Sequence, residues 1–212
     1  NVFYGVSTDA NCFASFRDSD STSNVEFGAI GNSHVFRNDA TEKLIIDGNG
    51  SIYNVNTTGQ SFFGANNAGN PSNVTGVSNS SFGYGAGNAL TTGYQNVNIG
   101  RDAGGVLTTG LNNVNVGTNA GASNVDGQQN TYIGTAAGYA SPGQNYNTFV
   151  GYEAGHNNTA NENTAVGRLA LHQNTTGGSN VAVGMEAGKA LTTGGSNTLI
   201  GHKAGDSLTD GD

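Results

Sequence analysis

Val and Ile recur along the chain at a fixed interval, each followed by glycine. The pattern Asn-x-x-(Val/Ile)-Gly-x-x-Ala-Gly repeats with its first glycines 17, 17, 17, 16, 17 and 17 residues apart. A weaker copy around Gly83 lies another 17 residues upstream and makes eight copies, and a looser one begins at Ser61. The eight marker glycines are Gly83, Gly100, Gly117, Gly134, Gly151, Gly167, Gly184 and Gly201. Self-similarity at a fixed period is the signature of a solenoid or array.

A 17-residue period predicts one coil of two short β-strands and two tight turns. It is too short for helix pairs, and the segments are rich in glycine and poor in helix formers. Thr148 and Val150 alternate with Phe149, so they should point to one side of a strand and Phe149 to the other. We expect the Val or Ile side chains to fill the coil interior and the opposite side to need burial against other chains. That opposite side comprises Asn98, Asn115, Tyr132, Phe149, Ala165, Ala182 and Leu199.

Glycine and asparagine hold fixed places in the coils. The glycine after each Val or Ile and the following Ala-Gly pair are expected at corners, where positive φ or close backbone approach excludes a Cβ. Leu171 replaces the last of these glycines once. Stacked coils place equivalent residues ~4.8 Å apart, so the asparagines before the strands should form a hydrogen-bonded ladder. These asparagines are Asn96, Asn113, Asn130, Asn147, Asn163, Asn180 and Asn197.

Two segments identify a family that the chain resembles. Asn-Thr-Ala-Val-Gly at 163–167 and Asn-Val-Ala-Val-Gly at 180–184 are similar to the head repeats of trimeric autotransporter adhesins, which also occur in bacteriophage tail fibres. The resemblance covers residues 80 to 205, and the coils that contain Thr-Thr-Gly look more like the phage version. It implies a left-handed parallel β-roll, three identical chains side by side, and a structural role in host-surface attachment. The setting would be a virion tail fibre or, alternatively, a bacterial cell surface.

The segment before the repeats has a different pattern. Residues 1–60 are expected to form a small β-rich module, because apolar stretches around Ile45 and Ile52 flank the turn sequence Gly48-Asn49-Gly50. Residues 42–52 also resemble a short β-module that is frequent in phage tail fibres and tailspikes. We expect residues 61–79 to be a transition and residues 80–212 to be the repeat array, continuing beyond the C-terminus.

Composition and charge narrow the partners. The chain contains 35 glycines, no Trp and only 10% charged residues, which argues against a large globular core. A net charge of -8 with seven Lys and Arg argues against nucleic-acid binding, and no apolar run is long enough for membrane insertion. Cys12 is the single cysteine, so an intrachain disulfide is excluded; its role stays open between a small buried residue and an intermolecular contact.

Residues that could support catalysis are dispersed. The four histidines, His34, His156, His172 and His202, have no flanking nucleophile motif. Asp102, Glu153 and Glu186 share one coil position on different turns and are expected to be surface charges rather than a glycosidase pair. His156 and His172 also share a position and could stack, although a metal site there would need threefold symmetry. We therefore expect no enzymatic activity, cofactor or metal.

Two ligand-binding interpretations remain open. Thr-Thr-Gly at 91–93, 108–110, 175–177 and 192–194 is expected in an outer strand or turn, where threonine ranks could order water as in ice-binding solenoids; only four coils contain it. A host cell-surface glycan could instead contact the aromatic residues of less regular coils. The candidates are Tyr94, Tyr139, Tyr146 and Tyr152. Without such a ligand, the segment acts through its length and stiffness.

Overall fold

The chain is all-β and divides into two compact units. The computed structural model describes six strands within residues 11–64, then Gly69 and residues 75–211, and no helix occurs in these parts of the chain. The first unit comprises Asn1–Phe62 and the second Phe63–Asp212.

The first unit is an antiparallel meander of five strands. They are β1 (Asn11–Phe16), β2 (Val25–Ile30), β3 (Ser33–Asn38), β4 (Thr41–Ile46) and β5 (Ile52–Asn54), and each pairs with the next. Ile46 lies opposite Ile52, which agrees with the predicted strand-turn-strand. The glycine turn at 48–50 lies outside the described residues. Cys12 belongs to β1, opposite Ala29, and its side chain also lies outside the described part.

The second unit is a parallel β-solenoid, as the repeat predicts. Its sheet contains nine three-residue strands in chain order. They are β6 (Phe62–Gly64), β7 (Ser80–Phe82), β8 (Val97–Ile99), β9 (Val114–Val116), β10 (Thr131–Ile133), β11 (Thr148–Val150), β12 (Thr164–Val166), β13 (Val181–Val183) and β14 (Thr198–Ile200). Equivalent residues pair across neighbouring coils, including the 16-residue coil, where Thr148 pairs with Thr164. The left-handed winding and the association of three chains stay predictions.

The prediction of which strand residues fill the coil was wrong. The middle residue of β7 to β13 is fully buried, whereas the two flanking residues are partly or largely exposed. The preceding asparagine sets this orientation: Asn96 faces inward to reach the carbonyl of Gly110 at 2.9 Å. Alternation along the strand then turns Val97 and Ile99 outward and Asn98 inward.

Two further columns complete the interior. An alanine three residues after the strand glycine is buried in the seven coils from Gly83 to Gly184, and so is the residue four positions beyond it. The alanines are Ala86, Ala103, Ala120, Ala137, Ala154, Ala170 and Ala187; the second column is Leu90, Leu107, Asn124, Ser141, Asn158, Asn174 and Leu191. These small and medium side chains leave room for one strand residue per coil. The interior is therefore narrow: its strand residues are polar in β7 to β9 and apolar from β10 to β13, and its apolar residues form two separate clusters.

Each described coil contains one strand, not the two predicted. The second leg of each coil is the segment that leads from the buried column of Leu107 to the next ladder asparagine. It bends because the residue before each ladder asparagine has positive φ, for example 58° at Gln95 and Asn112. In this leg every third residue is buried, as at Leu107, Gly110 and Asn113, which is not the period of a strand. Backbone hydrogen bonds still join neighbouring coils here.

Candidate functional surfaces

The asparagine ladder is a buried internal column. Asn130 Nδ2 donates to Asn113 Oδ1 at 3.0 Å and to the carbonyl of Gln144 at 2.7 Å. Asn130 Oδ1 in turn accepts from the backbone N–H of Asn147 at 3.0 Å. Where a coil is one residue shorter, Asn163 Nδ2 turns to Asn158 Oδ1 at 3.0 Å, while its backbone N–H keeps the bond to Asn147 Oδ1. Within the stack these amides bond to the neighbouring coils and not to an external ligand, which agrees with the structural role predicted for them.

The strand glycines lie where adjacent coils approach most closely. Gly151 has a φ of +139°, and a Cβ placed there would lie 2.5 Å from the carbonyl oxygen of Gly167. Leu171, which replaces a glycine, has a φ of 49° and lies fully buried in the core. The predicted corner geometry is thus present, and one non-glycine residue adopts it where its side chain gains burial.

The outward side of the strands forms an uncharged, mostly apolar surface, which we call the strand face. It comprises the first and third residues of β7 to β14: Ser80, Phe82, Val97, Ile99, Val114, Val116, Thr131, Ile133, Thr148, Val150, Thr164, Val166, Val181, Val183, Thr198 and Ile200. Phe82 is 58% exposed and Ile99 43%. Eight strands at ~4.8 Å give a stripe ~34 Å long. Contiguous exposed apolar surface of this kind marks an interaction site.

The candidate tyrosines are all exposed but do not share one column. Tyr94 and Tyr146 precede their strands, whereas Tyr139 and Tyr152 follow theirs, at four different coil positions. The ring of Tyr139 stacks on His156 with centroids 5.0 Å apart. The solenoid therefore presents these rings separately rather than as one aromatic platform.

The threonines of Thr-Thr-Gly serve mainly to join coils. Thr108 Oγ1 donates to the carbonyl of Val125 at 3.0 Å, and Thr192 Oγ1 to that of Thr209 at 2.8 Å. Only the second threonine of each pair is exposed. The exposed threonines therefore form only short, interrupted rows, which disfavours an ice-binding array.

His156 and His172 stack as the shared coil position suggested. Their ring centroids are 5.2 Å apart, so Tyr139, His156 and His172 form a ladder of three rings on one corner. His172 Nε2 lies 3.1 Å from Glu153 Oε2, and its Nδ1 is buried without a hydrogen-bond partner in the described part of the chain. Burial lowers the pKa of His172, and His156 adds to the effect, while Glu153 opposes it.

This ladder predicts loss of stability in mild acid. Because the folded-state pKa of His172 is below its unfolded value of ~6.5, the unfolded chain binds more protons as the pH falls through that value. We expect the thermal midpoint to fall by a few degrees between pH 7.5 and 5.5. In His172→Gln, the slope of the thermal midpoint against pH should be smaller. The exposed His202→Gln is the control. An unchanged slope in His172→Gln would contradict this assignment.

The three carboxylates at one coil position differ in environment, so the expectation of plain surface charges holds only in part. Asp102 forms an exposed pair with Arg101 at 3.1 Å, and Glu153 contacts His172. The Glu186 side chain is only 16% exposed and is surrounded by cations. No two of them are placed by the repeat on the same coil.

Searches for a metal site and a membrane span in the described part of the chain, and for a similar protein, all gave negative results. Within the described residues, no cluster of three or more His, Cys, Asp or Glu could hold a metal ion, and no helix could cross a membrane. No known protein family, curated protein or solved structure matches the chain.

Proposed function

We propose that the chain is a structural shaft of an attachment fibre, assembled from three copies that pack through the strand face. The fibre would belong to a virion tail; a bacterial cell-surface adhesin is the alternative setting, and a host cell-surface glycan the external partner. The observation that carries this proposal is the uncharged, mostly apolar stripe along eight stacked strands, in which eleven of sixteen residues are Val, Ile or Phe. A shaft needs such a surface because a single stack of narrow coils buries little apolar core to offset the cost of ordering its residues.

The strand face favours copies of the same chain as its occupant. Every copy has the same coil spacing, so apolar residues of one stripe meet those of another in register along the whole stack. Each strand has only three residues, which makes the stripe narrow. Three narrow stripes around a common axis cover one another completely, and the adhesin-like repeats Asn163–Gly167 and Asn180–Gly184 support the same number.

A charge on the strand face should dissociate the assembly. Ile133 points outward from β10 and is 38% exposed in the single chain. We expect Ile133→Asp to lower the mass in light scattering toward that of one chain, because three carboxylates would be buried together near the axis. The circular dichroism spectrum should persist, since the side chain lies outside the coil. Thr176→Asp, on another exposed side, is the control; an unchanged mass for Ile133→Asp would argue against this interface.

Coil deletion tests the shaft function itself. Removing residues 101–117 takes out one whole coil, and it leaves Asn98 below Tyr132 in the place that Asn115 occupied. We expect a folded protein that is ~4.8 Å shorter in small-angle scattering, with attachment largely intact. Deleting only residues 101–108 breaks the register and should abolish folding. If the whole-coil deletion also fails to fold, or loses all binding, the coils are not interchangeable spacers.

A further inference from the structure

Positive charge is concentrated at one place on an otherwise acidic solenoid. Residues 75–211 contain seven acidic residues and four Lys or Arg. Three of those four cations surround the single carboxylate of Glu186: Arg168 Nη1 lies 3.3 Å from Oε1, Lys189 Nζ 3.7 Å from Oε1, and Lys203 Nζ 3.8 Å from Oε2. We call these four residues the cationic cluster.

One carboxylate cannot neutralise three cations. Within the described part of the chain, no second carboxylate lies within 4.0 Å of Arg168, Lys189 or Lys203. Their side chains are 54%, 37% and 51% exposed, so a ligand in solution can reach all three. The fourth cation, Arg101, pairs singly with Asp102. The cluster therefore holds two uncompensated positive charges, whereas the equivalent position in the Arg101 coil holds none.

The residues beside the cluster fit a sugar. Tyr152 and Met185 hold the same coil position as Arg168 in the coils on either side of it, and both are exposed, at 49% and 42%. An aromatic ring and a thioether give apolar contact to the C–H side of a pyranose, while Arg and Lys donate to an anionic group. The patch spans three coils, and the surrounding acidic surface would repel a long polyanion such as nucleic acid.

We propose that the cationic cluster binds an anionic saccharide, through a carboxylate or phosphate held by Arg168, Lys189 and Lys203. The inference deepens the proposed attachment function, since it gives the shaft a receptor site away from the strand face. This site differs from the glycan contacts predicted from the tyrosines alone, because the charged side chains select the ligand. Of those tyrosines, only Tyr152 is placed at this site.

The test is calorimetric titration of the whole chain with three probes: trigalacturonate, glucose 6-phosphate and neutral maltotriose. We expect at least one anionic probe to bind, maltotriose not to bind, and affinity to fall between 50 and 300 mM salt. Which anionic probe binds distinguishes a carboxylated from a phosphorylated ligand. The double variant Arg168→Gln/Lys203→Gln should bind about tenfold more weakly or worse, the loss expected on removing charge-assisted hydrogen bonds.

Two controls keep the result interpretable. Arg101→Gln occupies the same coil position as Arg168 but removes a compensated charge, and it should bind like the parent chain. The charge-conserving Lys203→Arg should retain binding. Equal affinity in the double variant and the parent, or no binding of either anionic probe, would overturn the proposal. Light scattering on the same samples reports assembly separately, so a shaft that assembles but does not bind would refute only this inference.

Discussion

Replacing Gly134 with valine will disrupt the solenoid around β10 and lower the free energy of unfolding by about 4 kcal/mol. Gly134 has a φ of +134°, where a β-branched residue is strongly disfavoured. A Cβ there would also collide with the backbone carbonyl of Gly151 in the next coil. Because the obstacle is backbone, no side-chain rotation relieves it, and the two coils must separate. The measurement is thermal unfolding followed by circular dichroism.

Gly201 offers a matched control for the two causes. Its φ of +123° is similar, but nothing lies within 4 Å of the position that its Cβ would occupy. Gly201→Val should therefore show only the conformational strain, with a clearly smaller loss of stability. If Gly134→Val kept the thermal midpoint of the parent chain, the assignment of this glycine to a close contact between coils would be wrong.

Replacing Asn130 with alanine should cost about 3 kcal/mol, because it opens the asparagine ladder in the middle. The carbonyl of Gln144 loses its donor and the backbone N–H of Asn147 loses its acceptor. A buried polar group left without a partner costs about 1–3 kcal/mol. Hydrogen exchange should show faster opening of β10 and β11 than of distant coils.

Asn197 is the corresponding control at the end of the ladder. It donates to Asn180 Oδ1 at 3.1 Å and to the carbonyl of Gly211 at 2.9 Å, but no described coil follows to use its own Oδ1. Asn197→Ala should therefore cost about half as much as Asn130→Ala. Equal stability of Asn130→Ala and the parent would show that the ladder contributes little to folding.

The fixed period was sufficient to predict the solenoid, the ladder and the glycine corners. Residues such as Asn130 and Gly134 recur in phase, and stacking places like on like, so their contacts follow from the spacing alone. The same reasoning aligned His156 with His172, whose rings do stack. Contacts between coils therefore follow from the repeated sequence of each single coil.

The orientation of the strands could not be derived from alternation, because alternation defines two sides without saying which is inside. Val97 and Ile99 are more apolar than Asn98, yet Asn98 is the buried one. The orientation is decided by Asn96, which must face inward to form the ladder. The strand that follows could have been oriented from the sequence if the ladder had been placed inside the coil. Because the strands have this orientation, the Val and Ile side chains lie on the surface, where burial against other copies of the chain would stabilise them.

The absence of the predicted second strand and the presence of the cationic cluster escaped the sequence analysis for different reasons. Positive φ at non-glycine residues such as Gln95 and Asn112 bends the backbone where a second strand was expected, and neither residue type by itself specifies that conformation in the sequence. Arg168, Glu186 and Lys203 belong to three successive coils, so they converge only when the coils are superposed. Aligning charged residues by coil position would have brought them together.

The mass of the intact chain in solution tests the central claim most directly. Multi-angle light scattering should give three times 21.4 kDa, or 64.2 kDa, at concentrations where the circular dichroism spectrum shows β-structure. A stable folded monomer of 21.4 kDa would mean that the strand face needs no partner, and it would contradict the fibre-shaft account.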